Sequence, residues 1–344
     1  MIEPGHSFKC RIAVDAMGGD YAPRNVVIGA IDALAENNNF ELFLVGRKND
    51  IISILNSEKL EFKTENIINA DEVIDMSDSP TSSLKTKPGS SIVVGAQMVK
   101  DKKADAFVSA GNTGAMMSAS TLIMGRIPGV GRPTIGAEIP NVNGICYLYD
   151  VGAGKDAKPN HLFEYAVMGS IYAKEMGNVK NPSIGILSMG EEESKGNELT
   201  TAAFALLKNS ELNFKGNVEG RDILAGNVDV IVCDGFVGNI ILKFGESVPK
   251  LLKHLLQKTA NRNFFDKLRI GIGKGSLKKA LKSLDYQEHG GVPLLGVNGI
   301  SIIGHGSSTS KAIKNMVLKA NEMFEKNLIQ KIENSIKEYS FTKY

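Results

Sequence analysis

Short apolar segments alternate with amphipathic stretches along most of the chain, and Gly, Asp or Asn residues bound the apolar segments. This alternation is typical of a parallel sheet covered by helices. Six segments are predicted to be buried strands that end in a small or polar residue: 9–15, 41–46, 105–109, 144–150, 183–188 and 228–233. Ligands of open parallel sheets bind beyond the carboxyl ends of the strands, so we expect the functional residues there.

Three other regions follow different patterns. Residues 75–91 are rich in Ser, Thr and Pro without a hydrophobic period, which predicts a long surface loop of the kind that often has a function. Residues 310–339 predict one amphipathic helix that packs on the sheet. Residues 248–285 predict a helical hairpin, with apolar residues at helical spacing on both sides of a Gly-rich break at 271–275: Val248, Leu251, Leu252, Leu255, Leu256, Leu277, Ala280, Leu281 and Leu284.

The composition is that of a globular protein. The chain has 344 residues, of which 42% are hydrophobic, 23% are charged and 36 are Gly, so collagen-like, disordered and coiled-coil proteins are excluded. No apolar run approaches the roughly 18 residues of a membrane-spanning helix, and the N-terminus lacks a signal-peptide pattern, so we expect a cytoplasmic protein. Its three widely spaced cysteines predict reduced thiols, without a disulfide framework or a metal cluster.

Charge is distributed unevenly along the chain. The formal net charge is +2, but residues 248–285 contain ten Lys or Arg against Asp266 and Asp285, so this segment carries +8 and the remainder −6. A basic segment in a mildly acidic protein favours an acidic partner: nucleic acid, anionic lipid or an acidic carrier protein. The alternative is a solvated helix face without any partner.

Four glycine-rich turns follow strand-like segments. Their positions are 15–20 (DAMGGD), 109–115 (SAGNTGA), 234–239 (DGFVGN) and 304–309 (GHGSST). Gly allows backbone N–H groups to converge on an anion, and a helix N-terminus behind the turn adds its dipole. A single turn of this kind is commonly only a tight strand-to-helix connection, but four in one chain favour a phosphate or oxyanion site. Asp15 and Asp20 would repel an anion, so we expect them to form turns by accepting hydrogen bonds from neighbouring amides.

Motifs for nucleotides and metals are absent from the sequence. No G-x-G-x-x-G follows the first strand, and the residues around Gly154 and Lys155 do not form a Walker A loop. The five His show no ligand spacing, and Glu191 to Glu193 are more typical of a solvated run than of a carboxylate cage. We therefore expect neither a cofactor nor a metal.

Several motifs occur together in one order: DAMGGD, SAGNTGA, GEEESKGNE from Gly190, NFKGNVEGRDI at 213–223, DGFVGN, GGVPLLGVNG at 290–299, and GHGSS. With them the chain resembles, over nearly its whole length, the phosphate:acyl-[acyl carrier protein] acyltransferases of the PlsX family. The resemblance implies an enzyme that makes acyl phosphate from fatty acyl-[acyl carrier protein] and inorganic phosphate, early in phospholipid synthesis. One departure follows DVGA at 150–153, where Gly154-Lys155-Asp156-Ala157 replaces Asn and a short Cys-containing segment, so the role of this loop stays open.

The same resemblance implies the fold. It is an α/β fold, a three-layer α/β/α Rossmann-like sandwich similar to isocitrate and isopropylmalate dehydrogenases and to phosphotransacetylases. We expect a single domain over residues 8–340, with the basic hairpin protruding at 246–286.

The chemistry of this reaction fits the residues that the sequence offers. Phosphate is already an anionic nucleophile at neutral pH, so no serine triad is needed. The reaction needs donors for the carbonyl oxyanion and a positive charge or proton for the thiolate, whose conjugate acid has a pKa of roughly 8.5. By resemblance, Lys195 neutralises phosphate or thiolate and Asn239 orients the reacting groups. Contacts to phosphate or acyl substrate are expected from Gly18, Gly19, Asn112, Thr113, Gly114, Asp234, Gly238, His305, Gly306 and Ser307.

Two residues have alternative interpretations. Lys195 can be an ordinary surface lysine paired with Glu191 or Glu192. Cys233 can be an acyl-accepting nucleophile with His305 as its base, although a Cys in such a strand is more often a small buried residue.

The expected partners follow from the resemblance and from the charge of the hairpin. They are acyl carrier protein, inorganic phosphate and a second copy of the chain, which forms a homodimer through the hairpins. The hairpin also suits transient peripheral contact with an anionic membrane, where the product can pass to a downstream glycerol-phosphate acyltransferase. Membrane or carrier contact is expected from Leu251, Leu252, Lys253, Leu255, Leu256, Lys258 and Arg262.

Two rival functions belong to other classes. An NAD-dependent decarboxylating dehydrogenase of the related fold would need an NAD site and an aspartate metal cluster, and the sequence has neither pattern. A non-enzymatic nucleic-acid-binding module would use the basic hairpin, but Phe264 and Phe265 are not interleaved with its charges as a stacking platform requires. We therefore expect no nucleic-acid partner.

Overall fold

The computed structural model describes residues 9–154, 156–262, 264–280 and 290–341, which form two compact units of a mixed α/β fold. Unit 1 lies within Met1–Pro133, Lys174–Asn178 and His289–Tyr344. Unit 2 lies within Thr134–Ala173 and Val179–Glu288. The single domain over residues 8–340 stays a prediction beside this division.

Unit 1 contains a six-stranded sheet. Its strands, numbered along the whole chain, are β1 (Cys10–Asp15), β2 (Phe40–Gly46), β3 (Ile67–Asn69), β4 (Ala106–Ser109), β10 (Val292–Leu295) and β11 (Ile300–Ile303). They lie in the order β3-β2-β1-β4-β11-β10, and every neighbouring pair is parallel except β10 with β11. The carboxyl ends of β1, β4 and β11 therefore lie next to one another.

Helices cover the sheet of unit 1. They are α1 (Arg24–Glu36), α2 (Lys48–Ser57), α3 (Pro80–Thr86), α4 (Ser91–Lys100), α5 (Thr113–Ala119), α11 (Ser310–Glu325) and α12 (Leu328–Phe341). A 3-10 turn at Thr64–Asn66 precedes β3, and a π-helical turn at Ser120–Met124 continues α5. The apolar positions of α11 repeat with helical spacing and are buried. Its packing against α1 and the sheet follows from this stripe.

Unit 2 contains a five-stranded sheet. Its strands are β5 (Thr134–Asn141), β6 (Gly144–Tyr149), β7 (Ile184–Leu187), β8 (Phe214–Val218) and β9 (Val230–Val232). They lie in the order β5-β6-β9-β7-β8, and only β5 with β6 is antiparallel. The helices are α6 (Pro159–Glu175, whose last two residues fall in unit 1), α7 (Glu198–Lys208), α8 (Gly220–Ala225), α9 (Gly235–Ala260) and α10 (Phe264–Ala280).

The six predicted strands are confirmed as β1, β2, β4, β6, β7 and β9. The loop predicted at 75–91 is wrong in part, because α3 begins there with Pro80 at its first position, where the missing N–H costs no helical hydrogen bond. The single helix predicted at 310–339 is also wrong. It is divided into α11 and α12 at Lys326 and Asn327, and Asn327 has a left-handed φ of 52°.

Two consecutive helices, α9 and α10, lie where the helical hairpin is predicted, but the interruption between them does not lie at 271–275. The interruption lies between Ala260, where α9 ends, and Phe264, where α10 begins, and α10 continues through Gly271, Gly273 and Gly275. Residues 281–286 of the predicted hairpin, with Leu281 and Leu284, lie outside the described residues.

The close packing of α1 on α11 generates a stability prediction. A Cβ at Gly29 would lie 2.3 Å from Ser310 O and 2.8 Å from Ile313 Cβ, so Gly29→Ala should lower the free energy of unfolding by about 1–3 kcal/mol. Gly245 in α9 has no atom within 4 Å of such a Cβ, so Gly245→Ala should raise stability by up to about 1 kcal/mol. Urea unfolding of both variants measures the two effects, and equal losses would contradict the packing explanation.

Candidate active site

Three of the glycine-rich turns meet in unit 1. Gly304 N donates to Ser109 O at 2.8 Å, and Asp20 N donates to Gly306 O at 2.7 Å. A Cβ at Gly18 would lie only 2.7 Å from the backbone nitrogen of Gly111, so this approach requires Gly. The turns at 15–20, 109–115 and 304–309 therefore form one surface at the carboxyl ends of β1, β4 and β11.

Asp15 organises two of these turns. It is 1% exposed, and its carboxylate accepts hydrogen bonds from Ser109 Oγ at 2.7 Å and from Met17 N at 3.0 Å. Ser109 Oγ in turn accepts one from Gly111 N at 3.0 Å. Burial raises the pKa of Asp15 above its ordinary value, although these hydrogen bonds oppose the shift. The predicted role of Asp15 as a turn former is confirmed.

The side chain of Asn112, a predicted substrate contact, is fully engaged within unit 1. Its Oδ1 accepts from Ala115 N at 3.0 Å and so caps α5, while its Nδ2 donates to the carbonyl oxygens of Asp75, Met76 and Asp78 at 3.0–3.3 Å. Asn112 thereby holds the segment that leads into α3. Thr113, the next residue, is exposed.

His305, Gly306 and Ser307 form the third turn. Ser307 N donates to His305 Nδ1 at 3.1 Å, which makes Nδ1 an acceptor and leaves the proton of a neutral imidazole on Nε2. The cap of α11 is Thr309, whose hydroxyl accepts from Ala312 N at 3.4 Å. The side chain of His305 is exposed.

In unit 2, Lys195 lies in the loop that follows β7. Glu191 pairs with Arg221 at 3.1 Å and Glu193 pairs with Lys208 at 2.8 Å. Lys195 is exposed, and among the described residues it forms no ion pair. The alternative of a surface lysine paired with Glu191 or Glu192 therefore has no support in the described part of the chain.

Asp234, Gly238 and Asn239 belong to the turn after β9 and the start of α9. Asp234 Oδ1 accepts from Phe236 N at 2.9 Å and Val237 N at 3.0 Å, so it caps α9. A Cβ at Gly238 would lie 1.8 Å from Asp150 O, so only Gly fits there. Asn239 is exposed, and its Oδ1 lies 3.5 Å from where a Cβ of Gly152 would be.

Lys195 and Asn239 therefore follow neighbouring parallel strands, β7 and β9, and lie at the same edge of the unit 2 sheet. Among the described residues of unit 2, no hydrogen bond joins the two side chains. The remaining predicted contacts divide between the units: Gly18, Gly19, Asn112, Thr113, Gly114, His305, Gly306 and Ser307 in unit 1, and Asp234 and Gly238 in unit 2.

Asp150 was not predicted as a site residue, yet it organises this edge of unit 2. It is fully buried, and its carboxylate accepts from the backbone nitrogens of Ile135, Gly152, Ala153 and Gly154 at 2.9–3.2 Å. Burial raises its pKa despite these four bonds. The sequence signal is an Asp at a strand end followed by two Gly within four residues. Lys155, in the atypical loop, lies outside the described residues.

Two negative findings apply to the residues that the structure describes. None of them form a cluster of three or more His, Cys, Asp or Glu side chains that could hold a metal ion. None of their helices combines the length and apolar character needed to cross a membrane.

All three cysteines are buried free thiols. Burial raises the pKa of each, that of Cys146 to about 12, and Cys233 Sγ donates to Asp150 O at 3.5 Å. The thiolate form required of a nucleophile is therefore disfavoured.

This burial predicts that the native protein resists thiol alkylation. At pH 8, iodoacetamide should modify none of the three cysteines in buffer on the time scale on which it modifies all three in urea. Mass spectrometry of the two samples counts the modified thiols. Rapid native modification of Cys233 would revive its role as a nucleophile.

Comparisons with known proteins agree with this architecture. The family profile described as "Fatty acid synthesis protein" matches residues 10–331. A relative from Halothermothrix orenii, named "Phosphate acyltransferase", is 46% identical over 95% of this chain and 98% of its own length. A relative of the same name from Pelotomaculum thermopropionicum is 47% identical over 95% of each chain.

Solved structures show the fold. A phosphotransacetylase from Streptococcus pyogenes matches with a TM-score of 0.59 at 18% identity, over 92% of this chain and 94% of that one. This likeness confirms the expected similarity to phosphotransacetylases. Because the family profile and the relatives both span nearly the whole sequence, the chain belongs to the fatty acid synthesis protein (PlsX) family and is an acyltransferase of the phosphate acyltransferase kind.

Proposed function

We propose that this enzyme transfers a fatty acyl group from acyl carrier protein to inorganic phosphate and releases acyl phosphate. The observation that carries the proposal is the match of nearly the whole chain to relatives named phosphate acyltransferase. Among the described residues, the turns of unit 1 and the exposed Lys195 also supply polar and cationic groups that suit an anionic substrate.

The reaction requires little covalent chemistry from the protein. An oxygen of hydrogen phosphate attacks the thioester carbonyl carbon, the C–S bond breaks, and the thiolate of the carrier leaves and takes up a proton. The protein must hold the two anionic reactants together and stabilise the oxyanion that forms on the carbonyl.

Lys195 and Asn239 are the proposed catalytic pair. Glu191 and Glu193 pair with Arg221 and Lys208, and among the described residues Lys195 forms no ion pair, so its charge is proposed to act on phosphate or on the leaving thiolate. Asn239 is exposed next to Gly152 and offers a carboxamide donor to the reacting oxygens.

Substrate contacts are proposed in each unit by itself. In unit 1, Thr113, His305 and Ser307 present polar side chains, and Gly18, Gly19, Gly114 and Gly306 present backbone. Asn112 supports this surface by holding residues 75–78. In unit 2, Asp234 and Gly238 support α9, from which Asn239 projects.

We expect Lys195→Ala and Asn239→Ala each to lower kcat by at least about 10², the usual effect of losing one transition-state donor. Trapping of acyl phosphate with hydroxylamine, from a long-chain acyl carrier protein and phosphate, measures the rate. Lys215→Ala, an exposed lysine on β8, is the matched control and should retain activity. Wild-type rates in both site variants would refute the assignment.

Loss of activity in Cys233→Ser, with a trapped acyl-cysteine, would support the covalent alternative.

The hairpin of α9 and α10 is proposed as the contact surface for an acidic partner. Its apolar side chains are uncovered, with Leu251 59%, Leu255 48% and Phe264 72% exposed, and α9 buries only Gly235 and Gly238. Basic side chains are exposed beside them: Lys250, Lys253, Lys258, Arg262, Lys267 and Arg269. This combination suits reversible binding to anionic lipid, and the same charges suit an acidic carrier protein.

The uncovered apolar surface also supports a homodimer in which the hairpins of two copies pack together. Peripheral binding to an anionic membrane would release the lipid-soluble acyl phosphate where a glycerol-phosphate acyltransferase can use it. The charge contribution to such binding is about 1 kcal/mol for each Lys or Arg near the surface, so salt should weaken it.

Vesicle flotation separates these roles. The wild type should float with phosphatidylglycerol vesicles and not with phosphatidylcholine vesicles, and Leu255→Glu should abolish flotation because it places a charge in the apolar face. Leu224→Glu, at a leucine outside the hairpin that is 59% exposed, is the control that should still float. Sedimentation without vesicles reports the dimer, and a strict 37.0 kDa monomer at micromolar concentration would contradict it. Absence of flotation, with a raised KM for acyl carrier protein in Lys253→Glu, would assign the hairpin to the carrier.

A further inference from the structure

We propose that Asn217 positions Lys195 for the reaction by holding the backbone turn that carries it. This inference rests on the proposed catalytic role of Lys195. Asn217 therefore acts through another residue and needs no contact with substrate.

Asn217 lies where the Lys195 loop leaves the sheet. It is the fourth residue of β8 and pairs with Ile186 of β7, two residues before the loop begins at Ser188. Ser188 N donates to Val218 O at 2.8 Å, which continues the pairing of the two strands to the start of the loop. The side chain of Asn217 is thus anchored on rigid sheet backbone.

Both donors of the Asn217 carboxamide bind this loop. Nδ2 donates to Glu192 O at 2.7 Å and to Lys195 O at 3.2 Å. These two carbonyls belong to the first and last residues of a turn that is closed by Lys195 N donating to Glu192 O at 2.9 Å. One side chain therefore fixes both ends of the turn and, with them, the backbone of Lys195.

The orientation of the carboxamide follows from its partners. Two carbonyl oxygens face Nδ2, and the opposite orientation would place Oδ1 against both of them. In the observed orientation Oδ1 has no hydrogen-bond partner among the described residues. It is also shielded from solvent, because Asn217 is only 7% exposed. A buried, unpaired carbonyl oxygen is unfavourable for folding. The unpaired oxygen therefore does not account for an Asn at position 217. The two hydrogen bonds that its Nδ2 donates to the loop do.

The other side of Lys195 is fixed independently. Gly196 has a backbone φ of +123°, which residues with a side chain rarely adopt, and it is followed by Asn197, the cap of α7. Asn197 and Thr200 form a capping box there, with both hydrogen bonds at 2.9 Å. Arg221 and Lys208 hold Glu191 and Glu193. Lys195 is therefore an exposed side chain on a backbone held from both sides, and Asn217 supplies the upstream half of that support.

Removal of the Asn217 side chain should displace the Lys195 ammonium without removing its charge. A displacement of about 1 Å of a reacting group can lower a rate by about 10². Asn217→Ala should therefore lower kcat by about tenfold or more. Asn213→Ala is the matched control, because Asn213 also donates through Nδ2 to one backbone carbonyl, Asn181 O at 3.1 Å, but at the other end of β8. It should leave kcat within about twofold of the wild type.

A double-mutant cycle tests whether Asn217 acts through Lys195. In the Lys195→Ala background, Asn217→Ala should change the residual kcat less than twofold, because no side chain is left to position. Asn217→Leu, which keeps the size of the side chain and removes both donors and the unpaired oxygen, should reproduce the kcat loss. Thermal unfolding of each variant separates misfolded protein from mispositioned lysine.

Limited trypsin digestion gives a readout that does not depend on activity. Trypsin cleaves after lysine, so loosening the turn should speed cleavage of the Lys195–Gly196 bond in Asn217→Ala and Asn217→Leu by several-fold over Asn213→Ala. Peptide mass spectrometry identifies the site. Unchanged cleavage together with unchanged kcat would overturn the proposal, as would a full kcat loss that persists in the Lys195→Ala background. Wild-type kcat in Lys195→Ala itself would instead refute the catalytic assignment, and the positioning role with it.

Discussion

Two buried carboxylates, Asp15 and Asp150, determine the shape of the turns from which each candidate site is built. A carboxylate at the end of a buried strand needs hydrogen-bond donors, and the nearest ones are the amides of the turn that follows. Asp15 binds Met17 N and Ser109 Oγ in unit 1, and Asp150 binds four backbone amides in unit 2. The glycines allow these turns to fold tightly around their carboxylates.

The same hydrogen bonds restrict how an anion can be recognised. The backbone N–H groups of Met17, Gly152, Ala153 and Gly154 already donate hydrogen bonds to carboxylates, and that of Gly111 donates to Ser109 Oγ. Recognition of phosphate therefore falls to the remaining amides and to side chains with free donors. The proposed role of Lys195 fits this restriction, because the side chain is exposed on its loop and carries its own charge.

The fold could be predicted from sequence where strands are apolar and end in a polar or small residue. Some of the strands that were missed contain residues that disrupt this pattern, such as the Gly and Pro of β5 and the Pro of β10, and β3 is only three residues long. The hairpin break was misplaced because each Gly in a helix costs about 1 kcal/mol, which predicts an interruption at 271–275. The interruption lies instead between α9 and α10, after Ala260.

The candidate site, like the fold, could be predicted from the sequence only in part. Sequence motifs placed Lys195, Asn239 and the glycine turns at strand ends, because the order of elements determines which loops follow strands. The contacts of the Asn217 and Asn112 Nδ2 groups were not visible, since their partners are backbone carbonyls up to 37 residues away. Such contacts have no signature in the types of the side chains, only in the folded path of the chain.

The position of β11 in the sheet of unit 1 has a consequence for synthesis on the ribosome. β11 is the neighbour of β4, yet Ile300–Ile303 are translated almost two hundred residues after Ala106–Ser109. Until then β4 exposes an unpaired edge, which is a hazard for aggregation, while all of β5–β9 has already emerged and can fold. The strands of unit 2 are therefore all made before β4 gains its second neighbour, and the turns of unit 1 acquire their third member, 304–309, only after β11 has been translated.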